Sequence, residues 1–126
     1  MVVINACKLS IFCACILSCC LDQLIPVVGD ISLYNPESSG IWSLIRVKSN
    51  DSSVILPFSN VLALKGKEKL LFVKEYRKDG NRYSLVSFDD FDVYNTSLIT
   101  DSVFNSFSDF DYHFKMNDKG KMIRVK

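Results

Sequence analysis

The sequence predicts an all-β protein: an antiparallel meander, closed into a barrel or left partly open, behind an N-terminal signal segment. Three observations point there. From Gly40 onward no window of eleven residues carries a helical period that beats alternation. Residues 110 to 116 alternate cleanly, with Phe110, Tyr112, Phe114 and Met116 on one face and Asp111, His113 and Lys115 on the other. That is the pattern of a strand with one face on a core and one in water. Finally, Lys65-Gly66-Lys67, Lys78-Asp79-Gly80-Asn81 and Asn117-Asp118-Lys119-Gly120 each separate two apolar runs, as hairpin turns do.

Size and charge bound the function. The chain has 126 residues, enough for one small domain and too few for a multidomain enzyme. Fifteen basic residues against fourteen acids leave a formal charge of +1, so no net field argues for nucleic acid or an anionic membrane.

The chain opens with an apolar stretch, residues 9 to 20 (LSIFCACILSCC), behind Lys8. Twelve residues are short of the roughly 20 that a membrane-spanning helix needs and fit the core of an export signal. A buried amphipathic helix is the alternative. All five cysteines, Cys7, Cys13, Cys15, Cys19 and Cys20, lie here, so residues 21 to 126 fold without disulfides. The residues before Cys19 and Cys20 resemble a bacterial lipobox, with Leu17 large for its place in one register and Cys19 unusual in the other. Lipidation of Cys19 or Cys20 stands beside the plainer reading of cysteine as a small leader hydrophobe.

Residues 21 to 39 hold two prolines, a glycine and a serine pair without a period and read as a tether and lead-in loop. A single β domain is expected over 40 to 126. Its candidate strands are 41–48, 53–58, 61–64, 69–76, 82–88, 91–94, 103–107, 110–116 and 121–125. Pro57 lacks a ladder donor and marks an edge, a bulge or a sheet end. Eight phenylalanines, five tyrosines and Trp42 follow the leader, each able to bury roughly 150–250 Å². That is enough apolar area for a thin-margined domain without staples.

Charge is segregated along the chain. Residues 65 to 82 hold seven bases and three acids, 89 to 111 hold six aspartates and no base, and 115 to 126 hold five bases and one acid. Cross-strand pairing on a solvated face explains this. A basic patch at Arg77, Lys78 and Arg82 for an anionic partner is the functional reading. Tyr76 and Tyr83 beside it would suit a stacked nucleic-acid strand, which an exported protein rarely meets. The aspartates do not form a calcium loop, since no glycine lies between Gly80 and Gly120.

Catalytic constellations are missing. His113 is the single histidine and reads as a solvated cross-strand residue. No nucleophile elbow, phosphate-cradling loop or paired-histidine motif occurs. The expectation is a non-enzyme with no cofactor and no metal.

Gly40-Ile41-Trp42, opening the first strand, resembles the Gly-X-Trp signature of the lipocalin family. Ser108-Asp109-Phe110 followed by Asp111-Tyr112 is similar to that family's Thr-Asp-Tyr box, and Arg124 stands where an arginine would pack over the tryptophan. The spacing between the first two elements is short for a full lipocalin, and the helix that normally follows the barrel has no room here. A shrunken barrel of the kind found in small bacterial lipoproteins accommodates both. The resemblance implies barrel closure by Gly40, Trp42 and Arg124, and a cup for a small apolar ligand lined by Phe72, Val86, Phe88, Phe110, Tyr112 and Phe114. An interior filled by those aromatics is the competing outcome.

The resulting expectation is an exported, lipid-anchored or secreted, lipocalin-like binding protein for a small apolar ligand at the cell envelope. It would touch membrane only through its anchor and would bind no nucleic acid. The alternative is a non-catalytic interaction module that binds a protein or glycan partner through charged hairpins at 65 to 69 and 77 to 82. The triplets Asn50-Asp51-Ser52 and Asn95-Thr96-Ser97 raise a third possibility, a secreted eukaryotic or viral glycoprotein.

Overall fold

A computed structural model describes residues 22–49, 52–90 and 93–126. The leader, with Cys19 and Cys20, and the first acceptor asparagine, Asn50, lie outside the described residues. The described residues are mostly antiparallel β with one small α-helix. The chain divides into two compact units, one ending at Phe58 and one running from Ser59 to Lys126. Each unit carries one sheet, and neither sheet is closed.

The first unit is a four-stranded meander of β1 (Gln23–Val28), β2 (Ile31–Asn35), β3 (Ser43–Ser49) and β4 (Ser52–Ile55). The segment expected as a tether therefore forms β1 and β2. Its Gly29-Asp30 pair, with Gly29 at φ 56°, is a two-residue hairpin turn. Pro26 sits on edge strand β1, where a missing N–H breaks no interior ladder. Composition alone could not separate a linker from a hairpin made of the same turn residues. All five residues of β2 are buried, and Trp42, Leu44 and Ile45 are buried beside them. Asn35 ties the crossing to β3, its Oδ1 accepting from the Ser39 hydroxyl at 3.0 Å and the Gly40 N–H at 3.1 Å. At φ 78° Gly40 is in the left-handed region that glycine enters without strain.

The second unit is a six-stranded sheet in the order β10-β9-β5-β6-β7-β8. Its strands are β5 (Val61–Lys67), β6 (Leu70–Glu75), β7 (Arg82–Asp90), β8 (Val93–Ile99), β9 (Tyr112–Met116) and β10 (Met122–Arg124). Two of the expected turns are present. Gly80 at φ 124° and Gly120 at φ 79° reverse the chain, the latter helped by Asn117, whose side chain accepts from Lys119 N–H and Lys121 N–H. The third turn is displaced. The reversal falls at Glu68-Lys69, with Glu68 at φ 53°, and Gly66 is an interior residue of β5. A side chain at Gly66 would overlap the Tyr112 ring that lies across it from β9, so glycine serves close approach here and not a turn.

Segment 103–107, expected as a strand, belongs to helix α1 (Asp101–Ser106) and its C-cap Phe107. Thr100 caps it by accepting from Val103 N–H at 3.2 Å, and Asp101 lies in the first turn. The aromatics Phe104 and Phe107 are three apart, a helical spacing that places both on the sheet. Phe107 stacks on Phe72 with centroids 4.2 Å apart, and Phe104 meets Tyr83 at 5.4 Å. Strand β8 is longer than expected, since the polar run after Tyr94 continues to Ile99 as an exposed edge.

Register sorts the sheet's two faces. Lys65, Phe72, Leu85 and His113 align across one row, while Gly66, Leu71, Val86 and Tyr112 align across the next, on the opposite face. The first face takes α1, with Ala63, Phe72 and Phe104 as its buried cluster. The second carries the fully buried Leu64, Leu71, Val73, Val86 and Phe114.

Tyr112 yields a test. Its hydroxyl is buried without a hydrogen-bond partner among the described residues, and burial, with the Asp111 charge second, pushes the phenol up to about 12. The native state thus keeps a proton that the unfolded chain loses near pH 10, so stability present below pH 10 is lost as pH rises toward 12. Two pK units correspond to about 2–3 kcal/mol. Tyr112→Phe is expected to be neutral or stabilising at pH 7, since it removes an unsatisfied polar atom, and to flatten that alkaline decline relative to wild type. Urea unfolding at pH 7, 9.5 and 11 checks both.

Candidate functional site

The geometry that stands out is at the β6–β7 hairpin. Glu75 ends β6 and pairs in register with Arg82, which opens β7. The Glu75 side chain is 0% exposed, so its carboxylate must find its partners inside the protein. Arg82 supplies two donors to Oε1, Nε at 3.0 Å and Nη2 at 2.9 Å. Oε2 accepts from Arg77 Nη2 at 3.0 Å and from the Ser59 N–H at 3.0 Å. Arg77 Nη1 donates to the Tyr76 carbonyl at 2.9 Å, which fixes the plane of its guanidinium.

One buried carboxylate thus holds two guanidinium groups in fixed orientations. Their side chains remain 33% and 40% exposed and line an open cleft of about 470 Å³. Gly80 and Asn81 of the turn, Asp79, and the apolar Tyr83, Leu98 and Ile99 complete its wall. Each guanidinium has five N–H groups and gives up only some to Glu75 and the backbone, so further donors remain for a planar anion such as a carboxylate, sulfate or phosphate. Leu98, 74% exposed, offers an apolar wall beside them. A second open cleft, about 350 Å³, lies at the β9–β10 hairpin around Lys115, Asn117, Asp118 and Ile123.

Of the expected partner-binding trio, Arg77 and Arg82 come together at Glu75, and Lys78 is exposed on the turn between them. The other proposed charged tip, 65 to 69, is not one surface. Lys65 is buried on the helix-bearing face, donating to the Phe104 carbonyl at 2.9 Å and the Phe107 carbonyl at 3.3 Å, with its ammonium 4.7 Å from the Phe104 ring centroid. Burial holds its pKa below the ordinary lysine value. Lys67 pairs with Asp109 at 2.7 Å.

The six aromatic and aliphatic residues expected to line one cup do not share a face. Val86, Phe88, Tyr112 and Phe114 are buried on one side of the sheet, and Phe72 points to the other, under α1. Phe110 precedes β9 and breaks the expected alternation. Its ring lies 6.1 Å from Phe107 and 5.2 Å from His113, on the Phe72 side. The short link from α1 to β9 carries it there, so period two starts only at Tyr112.

Gly40 and Trp42 lie in the first unit, just before β3, with Trp42 1% exposed. Arg124 is in the second unit, its guanidinium 5.5 Å from the Phe114 ring centroid and its Nε donating to the Lys126 carbonyl. His113 is half-buried and edge-on to Phe110, and burial, with Lys65 and Lys115, lowers its pKa. Among the described residues no three His, Cys, Asp or Glu converge to hold a metal ion, and no helix is long and apolar enough to cross a membrane.

The residue that sequence reading missed is Glu75, inside the apolar run KLLFVKEY. Its signal was arithmetic: once the turn is centred on Lys78-Asp79, Glu75 falls opposite Arg82. Removing it should expose its importance. Glu75→Ala is expected to cost about 2–4 kcal/mol, as it leaves the Ser59 N–H and the inner donors of both part-buried arginines without their acceptor, whereas Arg77→Ala should cost about 1 kcal/mol or less because Arg82 and the Ser59 N–H still hold the carboxylate. Thermal and urea unfolding of the two variants gives the order, and equal losses would contradict the clamp.

No protein family matches this chain, and neither a curated protein nor a solved structure proves similar to it.

Proposed function

We propose that the chain is an exported, non-catalytic interaction module that captures an anionic group of a protein or glycan partner in the Arg77–Arg82 cleft. The observation that carries this reading is the buried Glu75, which preorganises two part-exposed guanidiniums so that little side-chain entropy is lost on binding. The adjoining Tyr83 and Leu98 suit a partner with an apolar body beside its charge. Export rests on the apolar leader, and attachment to an envelope membrane rests on lipidation of Cys19 or Cys20. Arrays of sialylated, sulfated and uncharged oligosaccharides and of acidic and neutral peptides test the reading. Capture confined to acidic probes, and reduced about tenfold or more by Asn81→Asp or Lys78→Glu, supports it. Both substituted residues are exposed, so the fold should be retained. Capture indifferent to probe charge or to both variants sinks it.

A second reading, a lipocalin-like barrel around a small apolar ligand, draws on the buried face of the six-stranded sheet that carries Leu64, Leu71, Val86 and Phe114. It requires a hollow beside that face. An apolar fluorescent probe is then expected to saturate at one site per chain, and to lose affinity in Val86→Trp. Absence of saturable binding favours a solid interior.

A further inference from the structure

The described residues present four sheet edges, and three are blunted. Strand β1 carries Pro26 and a register shift between Pro26 and Val28. Strand β4 is four residues long, pairs through another shift and is soon followed by Pro57. Strand β10 has three residues and includes Arg124. Such devices prevent edge-to-edge pairing. Strand β8 carries only a register shift at its start, where Phe88 and Asp90 of β7 face Tyr94 and Val93. It runs seven residues, Val93–Ile99, without a charge or a proline, and Asn95, Thr96, Ser97 and Leu98 are all exposed.

The backbone groups on this edge follow from the register. Phe88 N–H donates to the Lys69 carbonyl, so Phe88, Val86 and Ser84 direct their main-chain groups toward β6. Their neighbours Ser87, Leu85 and Tyr83 therefore serve β8, where they pair with Asn95, Ser97 and Ile99. Tyr94, Thr96 and Leu98 are left with N–H and C=O groups turned away from the sheet.

We infer that β8 pairs with β8 of a second copy of this chain, antiparallel, about a two-fold axis at Thr96. The strand is self-complementary in that register. Thr96 meets its own copy, Tyr94 meets Leu98 in an aromatic–aliphatic pair made twice, and Asn95 meets Ser97. The outward-turned residues are also those that a hydrogen-bonded antiparallel pairing uses. No charge is brought against a like charge. The pairing places Tyr94 of the partner subunit beside Leu98, at the wall of the Arg77–Arg82 cleft. It does not depend on what that cleft binds.

Sedimentation velocity of the full chain over a concentration series tests the inference. A concentration-dependent dimer in roughly the micromolar range is expected, because a single strand pair is a small interface. Thr96→Pro should weaken it about tenfold or more while leaving the fold intact, since the N–H it removes is not used within the chain's own sheet. A pair of double variants reads the register even if that proline unfolds the protein. Tyr94→Lys with Leu98→Lys opposes like charges and should give monomer. Tyr94→Glu with Leu98→Lys opposes unlike charges and should restore dimer. A wild-type monomer at every concentration, a dimer indifferent to a folded Thr96→Pro, or identical behaviour of the two double variants overturns the proposal. Pairing of β8 with a different protein's extended segment would appear as the first of these.

Discussion

The register of β6 against β7 is the constraint on which the second unit depends. Because side chains alternate with a period of two, sliding β7 by one residue would send Val86 to the helix-bearing face and Leu85 to the other. It would also part Glu75 from Arg82. Two local features hold the register: the turn at Lys78 to Gly80, where glycine takes φ 124°, and the burial of Leu71, Val73 and Val86 on one face. The same pairing decides which main-chain groups of β8 point outward, so the cleft and the edge both follow from one alignment.

Among the described residues of this sheet, Glu75 and Lys65 are buried, and they are satisfied in different ways. Glu75 is compensated by two guanidiniums and a backbone N–H, which satisfy both carboxylate oxygens inside the protein. Lys65 meets no carboxylate among the described residues. Its ammonium is taken up by carbonyl oxygens at the end of α1 and by the face of Phe104, the negative pole of a helix and of a ring. Carbonyls offset desolvation less fully than a carboxylate does, in line with the lowered lysine pKa. Lys65 consequently works as a tie between α1 and β5, and the positive charge that sequence counts as surface is spent internally.

The aromatic content is spent internally as well. Phe72, Phe104, Phe107 and Tyr83 form a small core that seats α1, and Tyr112 covers the bare backbone of Gly66. Dividing the large side chains between two faces lets residues 59 to 126, which include no cysteine, bury both sides of one sheet, which a single row of aromatics would not achieve. Among the side chains left at the surface are the part-exposed arginines of one hairpin and the uncharged residues of one edge.

Sequence alone determined the β class, the hairpins at Gly80 and Gly120 and the strand character of most apolar runs, 103–107 excepted, because these rest on local backbone preference and on alternation. It located Arg77, Lys78 and Arg82 as a basic tip for the same reason. Tertiary structure decided the rest. Helix α1 is held by packing of Phe104 and Phe107 on the sheet, the first hairpin is made from residues whose composition also suits a linker, and Gly66 is required by a ring that arrives from a strand 46 residues away in the register. The burial of Glu75 and Lys65 is likewise invisible in order of residues. Solvation is a property of the folded surface, and only long-range pairing establishes which charges keep their water.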